Sequence, residues 1–140
     1  MGVWHGAKIN IFNIIENRND IKLQGYVEKE ELICIYNAAL VFVSFSIYEG
    51  FGRILIEAMK CGIPVLCSDI KIYREIIGDS GKLVDLNNEN EILQTLNEIL
   101  NNLELRYYLI DKGFENIKKY DWSNAIKEIV NCYNNFQWLI

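Results

Sequence analysis

The chain contains 140 residues, which is enough for one domain with a buried core but too few for two full-sized lobes. Its composition, 51% hydrophobic and 24% charged, is typical of a packed globular domain and excludes a disordered chain. The formal net charge is −5, and the 14 Lys and Arg residues are scattered along the chain, which argues against nucleic acid as a partner.

The sequence indicates neither a membrane span nor a metal site. The longest nearly apolar run, residues 38–45, is far shorter than the roughly 20 residues that a membrane-spanning helix needs, and no charged leader precedes an apolar segment. We therefore expect a cytoplasmic protein. The cysteines form no CxxC pair and the only histidine is His5, so we expect no metal and no disulfides. Three of the four cysteines lie in apolar helix or strand patterns, where we expect buried thiols.

The first part of the chain alternates between helix and strand patterns. Residues 6–19 favour a helix, although "KINIF" also alternates like a strand. Residues 21–27, "IKLQGYV", are apolar at every second position and predict a strand. Residues 40–45, "LVFVSF", predict a strand that is buried on both faces. Between them, behind an acidic first turn, residues 28–39 predict a helix whose apolar positions are Leu32, Ile35, Tyr36 and Ala39.

The rest of the chain continues this alternation and then becomes helical. A helix, a strand, a short helix and a strand are predicted at residues 52–61, 63–68, 70–77 and 81–85, and Gly62 with Pro64 ends the first of them. A second helix is predicted at about 102–119, and a third begins after Asp121 or Ser123, either of which can cap it. The first helix of this C-terminal segment precedes these two. It has one apolar stripe, formed by Ile92, Leu93, Leu96, Ile99 and Leu100.

Strands and helices that alternate with short connections predict an α/β fold, a Rossmann-like parallel sheet flanked by helices with a helical C-terminal segment. In such sheets ligands bind at the carboxyl ends of the strands, where loops lead into helix N-termini. The turn at residues 46–52, "SIYEGFG", is predicted to lie at such a place.

This turn carries residues that suit a ligand with both phosphate and hydroxyl groups. Gly50 and Gly52 flank Phe51, so the main chain can approach a ligand and present free N–H groups where the helix starts. Glu49 and Glu57 can accept hydrogen bonds from vicinal hydroxyls, as in a sugar or ribose. The alternative from the residues alone is structural: Glu57 pairs with Arg53, and Glu49 is a loop residue near a helix N-terminus.

Residues 48–85, "YEGFGRILIEAMKCGIPVLCSDIKIYREIIGDSGKLVD", resemble the donor-binding half of the retaining group 1 glycosyltransferases, whose hallmark is Glu, seven residues and Glu. Residues 21–46 resemble the segment that precedes this motif, and residues 120–133 resemble the family's closing helix. The resemblance covers about residues 20–134. It implies one lobe of the two-lobed GT-B architecture and transfer of a sugar from a nucleotide sugar, such as a UDP- or GDP-sugar, to a saccharide or lipid-linked acceptor.

The resemblance also implies roles for the residues of the turn. Glu57 would hold the ribose hydroxyls, whereas Glu49, the catalytic candidate, would position the transferred sugar and stabilise charge. The main chain at Gly50, Phe51, Gly52 and Arg53 would help to bind the donor. The family requires no metal and no cofactor besides its donor substrate.

The sequence departs from the family pattern at several places. Arg53 and Ile54 stand where an aliphatic residue and proline are usual, and the Arg and Lys with which the family's donor lobe opens have no counterpart. We expect the acceptor lobe to lie outside residues 1–140. We therefore expect residues 1–140 to be a partial donor lobe, inactive alone, membrane-peripheral at most in the full-length enzyme, and able to self-associate through an exposed strand edge.

Two other functions compete with this interpretation. A non-catalytic α/β interaction module, or a truncated remnant of such an enzyme, would keep the fold without donor binding. A phosphoacceptor receiver domain has a similar length, but it needs acidic residues at strand ends where this chain carries serines.

Overall fold

A computed structural model describes residues 18–135 as a three-stranded parallel sheet with helices on both faces. The strand order is β1-β2-β3, with β1 at Phe42–Ser44, β2 at Val65–Ser68 and β3 at Gly81–Val84. Phe42 pairs with Val65, and Val65 pairs with Gly81. The carboxyl ends of all three strands therefore lie at the same edge of the sheet.

Helices precede, connect and follow the strands. They are α1 at Lys29–Ala38, α2 at Arg53–Lys60, α3 at Lys71–Ile77, α4 at Glu89–Asn101, α5 at Leu103–Asn116, a 3-10 helix at Ile117–Tyr120 and α6 at Trp122–Asn135. None of the helices within residues 18–135 is both long and apolar enough to cross a bilayer. The α/β, Rossmann-like sheet that the sequence predicts is confirmed.

The core lies on both faces of the sheet, and β2 contributes to both. Every residue of β2 is buried; Val65 and Cys67 pack in one cluster with α2 and α3, whereas Leu66 packs in a second cluster with Ile99 of α4 and Leu109 of α5. Successive strand residues point to opposite faces, so a central parallel strand buries side chains on both faces, as Val65, Leu66 and Cys67 do here.

The predictions for the strands at residues 63–68 and 81–85 are confirmed, but two other strand predictions fail in part or entirely. Residues 21–27 form no strand, because no described strand pairs with them, and Tyr26 is 91% exposed. The strand at residues 40–45 exists as β1 but is not buried on both faces. It lies at the edge of the described sheet, which leaves Val43 and Phe45 about two-fifths exposed.

The helix predictions for residues 28–39, 52–61 and 70–77 are confirmed, and α5 with the 3-10 helix covers the helix expected at 102–119. Gly62 follows α2 with φ +68°, the left-handed conformation that ends a helix. Asp121, rather than Ser123, caps α6, since its Oδ1 accepts from Ser123 N at 2.7 Å. Of the helix predicted at residues 6–19, residues 6–17 lie outside the residues that the structure describes.

One packing expectation needs correction, and one apolar stripe is only partly covered. Of the four cysteines only Cys67 is buried, whereas Cys34 and Cys132 lie on exposed helix faces. In the stripe of α4 only Ile99 is fully buried, and Leu93 is 59% exposed. Helical spacing places these residues on one face, but α5 and the sheet cover only part of that face.

Candidate functional site

The predicted turn lies at the carboxyl end of β1 and leads into α2. The chain leaves β1 at Ser44, and Gly52 precedes α2 in the left-handed conformation, with φ +68° and ψ +39°. A Cβ at Gly52 would lie 2.7 Å from Cε1 of Tyr73, whose side chain is fully buried. Glycine is thus required here both by the backbone and by the packing of α3.

The first turn of α2 is open to a ligand. Gly52 has no side chain with which to cap the helix, and Leu55 N donates to Gly52 O at 3.0 Å. The N–H groups of Arg53 and Ile54 make no hydrogen bond within residues 18–135. Unpaired N–H groups and the positive end of the helix dipole together favour an anion.

Glu49 is held by one hydroxyl group from its own loop and one from helix α3. Ser46 Oγ donates to Glu49 Oε1 at 2.9 Å, and Tyr73 OH donates to the same oxygen at 3.4 Å. Ser68, at the end of β2, donates from Oγ to the carbonyl oxygen of Ser46 and thereby joins the loop of Glu49 to the end of β2. The carboxylate of Glu49 is partly buried and accepts two hydrogen bonds on one oxygen.

Glu57 lies one helical turn after Arg53 and forms an ion pair with it. Arg53 Nε donates to Glu57 Oε1 at 2.7 Å, and the Arg53 side chain is 82% exposed. On the other side, Glu57 faces Tyr36 of α1: burial raises the pKa of Tyr36, and the charge of Glu57 adds to that effect. The pairing with Arg53 that the sequence left open as an alternative is present.

The two glutamates line different cavities. Glu49 lines a groove of about 470 Å³, the Glu49 groove, together with Ile47, Tyr48, Ile70, Lys71, Ile72 and Glu75. Glu57 lines a cleft of about 530 Å³, the Glu57 cleft, together with Phe51, Arg53, Ile56, Lys60, Lys119, Tyr120, Asp121, Ala125 and Glu128. The glycine turn and the N-terminus of α2 lie between them in sequence, and a ligand contacting both glutamates would have to cross that turn.

A third cavity continues the Glu49 groove along the sheet edge, since both are lined by Ile47 and Ile70. Its charged members are Asp69, Arg74 and Asp85. Arg74 forms a bidentate ion pair with Asp69, and the hydrogen bonds from this guanidinium lower the pKa of the Asp69 carboxyl. Within residues 18–135 no group of three or more potential ligands is placed to hold a metal ion.

Sequence reasoning found the turn but not the residues that support it. Tyr73 is fully buried, and its hydroxyl lies 2.8 Å from Ser44 Oγ at the end of β1. The serines at the strand ends were visible in the sequence, but nothing in the local pattern assigned them to Glu49. For Tyr73, the helical pattern of residues 70–77 gives no indication of a polar contact.

The profile of the family described as "Glycosyl transferases group 1" matches residues 10–116. The O-antigen chain mannosyltransferase B of Escherichia coli is 36% identical over 113 residues, which cover 81% of this chain and 30% of that protein. The chain spans about a third of the length of the curated relatives that it matches.

Solved structures share the fold. Sucrose-phosphate synthase from Thermosynechococcus elongatus superimposes with a TM-score of 0.78 at 26% identity, covering 90% of this chain and 32% of that one. The C-terminal domain of the group 1 family protein LpcC from Francisella tularensis gives a TM-score of 0.67 at 26% identity. The match covers 81% of this chain and 60% of that one.

Proposed function

The chain belongs to the group 1 glycosyltransferases, and on that premise we propose that it is the donor lobe of such an enzyme. In this role it binds a nucleotide-diphosphate sugar for transfer of the sugar with retention at the anomeric carbon. The observation that carries the proposal is the position of Glu49. Its carboxylate is fixed on one oxygen by Ser46 and Tyr73, next to a glycine turn that leads into an uncapped helix.

Each part of the site suits one part of the donor. The free N–H groups of Arg53 and Ile54 suit a phosphate oxygen, because the helix dipole favours negative charge there. Glu49 suits the transferred sugar, since a carboxylate accepts hydrogen bonds from hydroxyl groups and stabilises positive charge that develops at the anomeric carbon. Glu57 suits the ribose diol. No metal and no cofactor takes part.

The Arg53–Glu57 ion pair does not exclude ribose binding. An ion pair with an exposed partner contributes roughly 0.2–1 kcal/mol. A hydrogen bond from a hydroxyl to a charged acceptor contributes about 1.5–3 kcal/mol. Two ribose hydroxyls on Glu57 therefore outweigh the pair, and the released Arg53 guanidinium becomes available to the diphosphate.

Transfer itself requires more than the described residues. A leaving diphosphate develops negative charge, and the cations beside the turn are Arg53 and Lys71, both on exposed positions. We propose that further cations and the site for a saccharide or lipid-linked acceptor lie in the part of the enzyme that this chain does not cover, so that the chain binds donor without turnover. Pairing of the outer edge of β1 with a second copy stays a prediction.

A second candidate is an interaction module that has kept the fold and lost donor binding. The contact that favours it is the Arg53–Glu57 ion pair, which occupies Oε1 of Glu57 in the absence of ligand. Such a module would bind no nucleotide sugar.

The test is isothermal titration of the chain with UDP, GDP, UDP-glucose and GDP-mannose. The matched variants are Glu57→Ala and Glu104→Ala, because Glu104 is an exposed glutamate in the first turn of α5, away from both cavities. We expect saturable binding of one nucleotide series by the wild type and by Glu104→Ala, and at least tenfold weaker binding by Glu57→Ala. A folded wild-type chain that binds none of them at millimolar concentration contradicts the proposal.

A further inference from the structure

Tyr73 connects the two parts of the candidate site. It lies on α3, 24 residues after Glu49, and its side chain is fully buried. Its ring lies against the left-handed turn at Gly52, and its hydroxyl reaches Ser44 and Glu49. One side chain thus contacts both the turn that precedes α2 and the carboxylate that faces the Glu49 groove.

The protons of this cluster can be assigned from its donors and acceptors. A phenol has one O–H, whereas an ionised carboxylate only accepts. If Tyr73 OH donates to Glu49 Oε1, the 2.8 Å contact with Ser44 must be a hydrogen bond donated by Ser44 Oγ to the phenol oxygen. Ser44 then donates a hydrogen bond to Tyr73, and Tyr73 donates one to Glu49.

These hydrogen bonds leave one carboxylate oxygen of Glu49 available to a ligand. Oε1 accepts from Ser46 and from Tyr73, and Oε2 makes no hydrogen bond to any residue that the structure describes between 18 and 135. Two donors on the same oxygen fix the rotation of the carboxylate about its last bond. A carboxylate held in this way presents Oε2 in a single direction.

The rest of the fold keeps Tyr73 in place. Asn116 Nδ2 donates to Ile76 O at 2.7 Å, and Tyr120 OH donates to the same carbonyl at 3.3 Å. Ile76 lies three residues after Tyr73 on α3, so the helix is fastened to α5 and the 3-10 helix one turn from the tyrosine. The ring of Tyr73 has no exposed direction in which to move.

We propose that Tyr73 is a positioning residue for sugar recognition: its ring supports the Gly52 turn, and its hydroxyl, itself held by Ser44, orients Glu49 toward the hexose of the donor. This inference rests on the proposed donor function and deepens it. On this inference, a buried tyrosine of α3 contributes to the difference in affinity between a nucleotide and a nucleotide sugar.

The test is the variant Tyr73→Phe, which keeps the ring and removes only the hydroxyl. Tyr107→Phe is the matched control, because Tyr107 is 60% exposed on α5. The measured quantity is the ratio of the Kd of the nucleoside diphosphate to the Kd of its hexose conjugate, obtained by titration calorimetry. For Tyr73→Phe we expect this ratio to fall about three- to tenfold while the nucleotide Kd changes less than twofold. Tyr107→Phe should leave both unchanged.

Crystal structures of the free wild type and the free Tyr73→Phe variant supply a second readout that needs no ligand. We expect the Glu49 carboxylate of the variant to rotate away or to occupy two conformers. If Glu49 has the same position in the variant, the positioning role is overturned. If the wild type binds nucleotide and Tyr73→Phe has the same Kd ratio as the wild type, the positioning role is overturned and the donor function stands. Displacement of Glu49 in a chain whose wild type binds no nucleotide supports positioning and overturns the donor function.

Discussion

Replacement of Gly52 by alanine tests whether the fold requires a glycine at this turn. Gly52 has φ +68°, and a non-glycine residue in the left-handed region costs roughly 1–2 kcal/mol. The new Cβ would also lie 2.7 Å from Cε1 of the fully buried Tyr73 ring, and such overpacking costs typically about 1–3 kcal/mol. We therefore expect Gly52→Ala to lower the free energy of unfolding by about 2–5 kcal/mol.

Gly50→Ala is the matched control two residues earlier in the same turn. Gly50 does not have a positive φ, and a Cβ there would meet nothing within 4 Å. Replacing a glycine by alanine where alanine can adopt the same backbone conformation stabilises a protein by about 0.4–1 kcal/mol, because it reduces the conformational entropy of the unfolded chain. We expect Gly50→Ala to be as stable as the wild type or slightly more so.

Urea denaturation followed by circular dichroism measures both variants. With a slope of about 2 kcal/mol per molar urea, the middle of the range for small domains, the loss expected for Gly52→Ala lowers the midpoint by roughly 1–2.5 M. If Gly52→Ala and Gly50→Ala unfold at the same midpoint, neither the left-handed turn nor the contact with Tyr73 constrains the fold, and the reasoning is refuted.

Three further predictions concern parts of the fold outside the turn. Asn102 Oδ1 accepts from Leu105 N at 2.9 Å at the start of α5, so Asn102→Ala should lower the free energy of unfolding by about 1 kcal/mol. Asn97→Ala, at an exposed position inside α4, should have no such effect, and equal losses would contradict the cap. Burial, with a smaller contribution from Asp69, raises the pKa of the Cys67 thiol from 9.0 to about 12. Because the unfolded chain ionises this thiol first, it should contribute to a loss of stability as the pH rises from 9 toward 12, and a Cys67→Ala variant should lack that contribution. At pH 8 iodoacetamide should modify the exposed Cys132 and leave Cys67 unmodified until the protein is denatured, and equal rates, measured by mass spectrometry, would contradict the burial.

The sequence predicts the central strand better than the strand at the edge. Residues 63–68 and 40–45 both have a mostly apolar pattern that predicts a buried strand. Only β2 has a neighbour on each side, so β1 keeps Val43 exposed in the part of the chain that the structure describes. Local pattern specifies an extended segment, whereas its partners are set by distant residues. The same reason explains residues 21–27, whose alternation found no paired strand.

The candidate site shows the same division between local and distant determinants. The turn around Glu49 was identifiable because glycines and carboxylates have local consequences for backbone conformation and hydrogen bonding. The support of Glu49 by Tyr73 joins residues 24 positions apart and depends on how α3 packs against the end of β1. No period in the sequence reports such a contact.

On the proposed function, stability and recognition share one side chain. Tyr73 belongs to the core cluster that includes Leu55, Met59 and Ile77, and it also contacts Glu49 and the turn at Gly52. A change that loosens the ring therefore weakens the core and misplaces the carboxylate together, whereas Tyr73→Phe separates the two because it removes only the hydroxyl. A candidate site built directly on the core in this way is held by the same packing that keeps the fold together, so the fold itself sets its geometry.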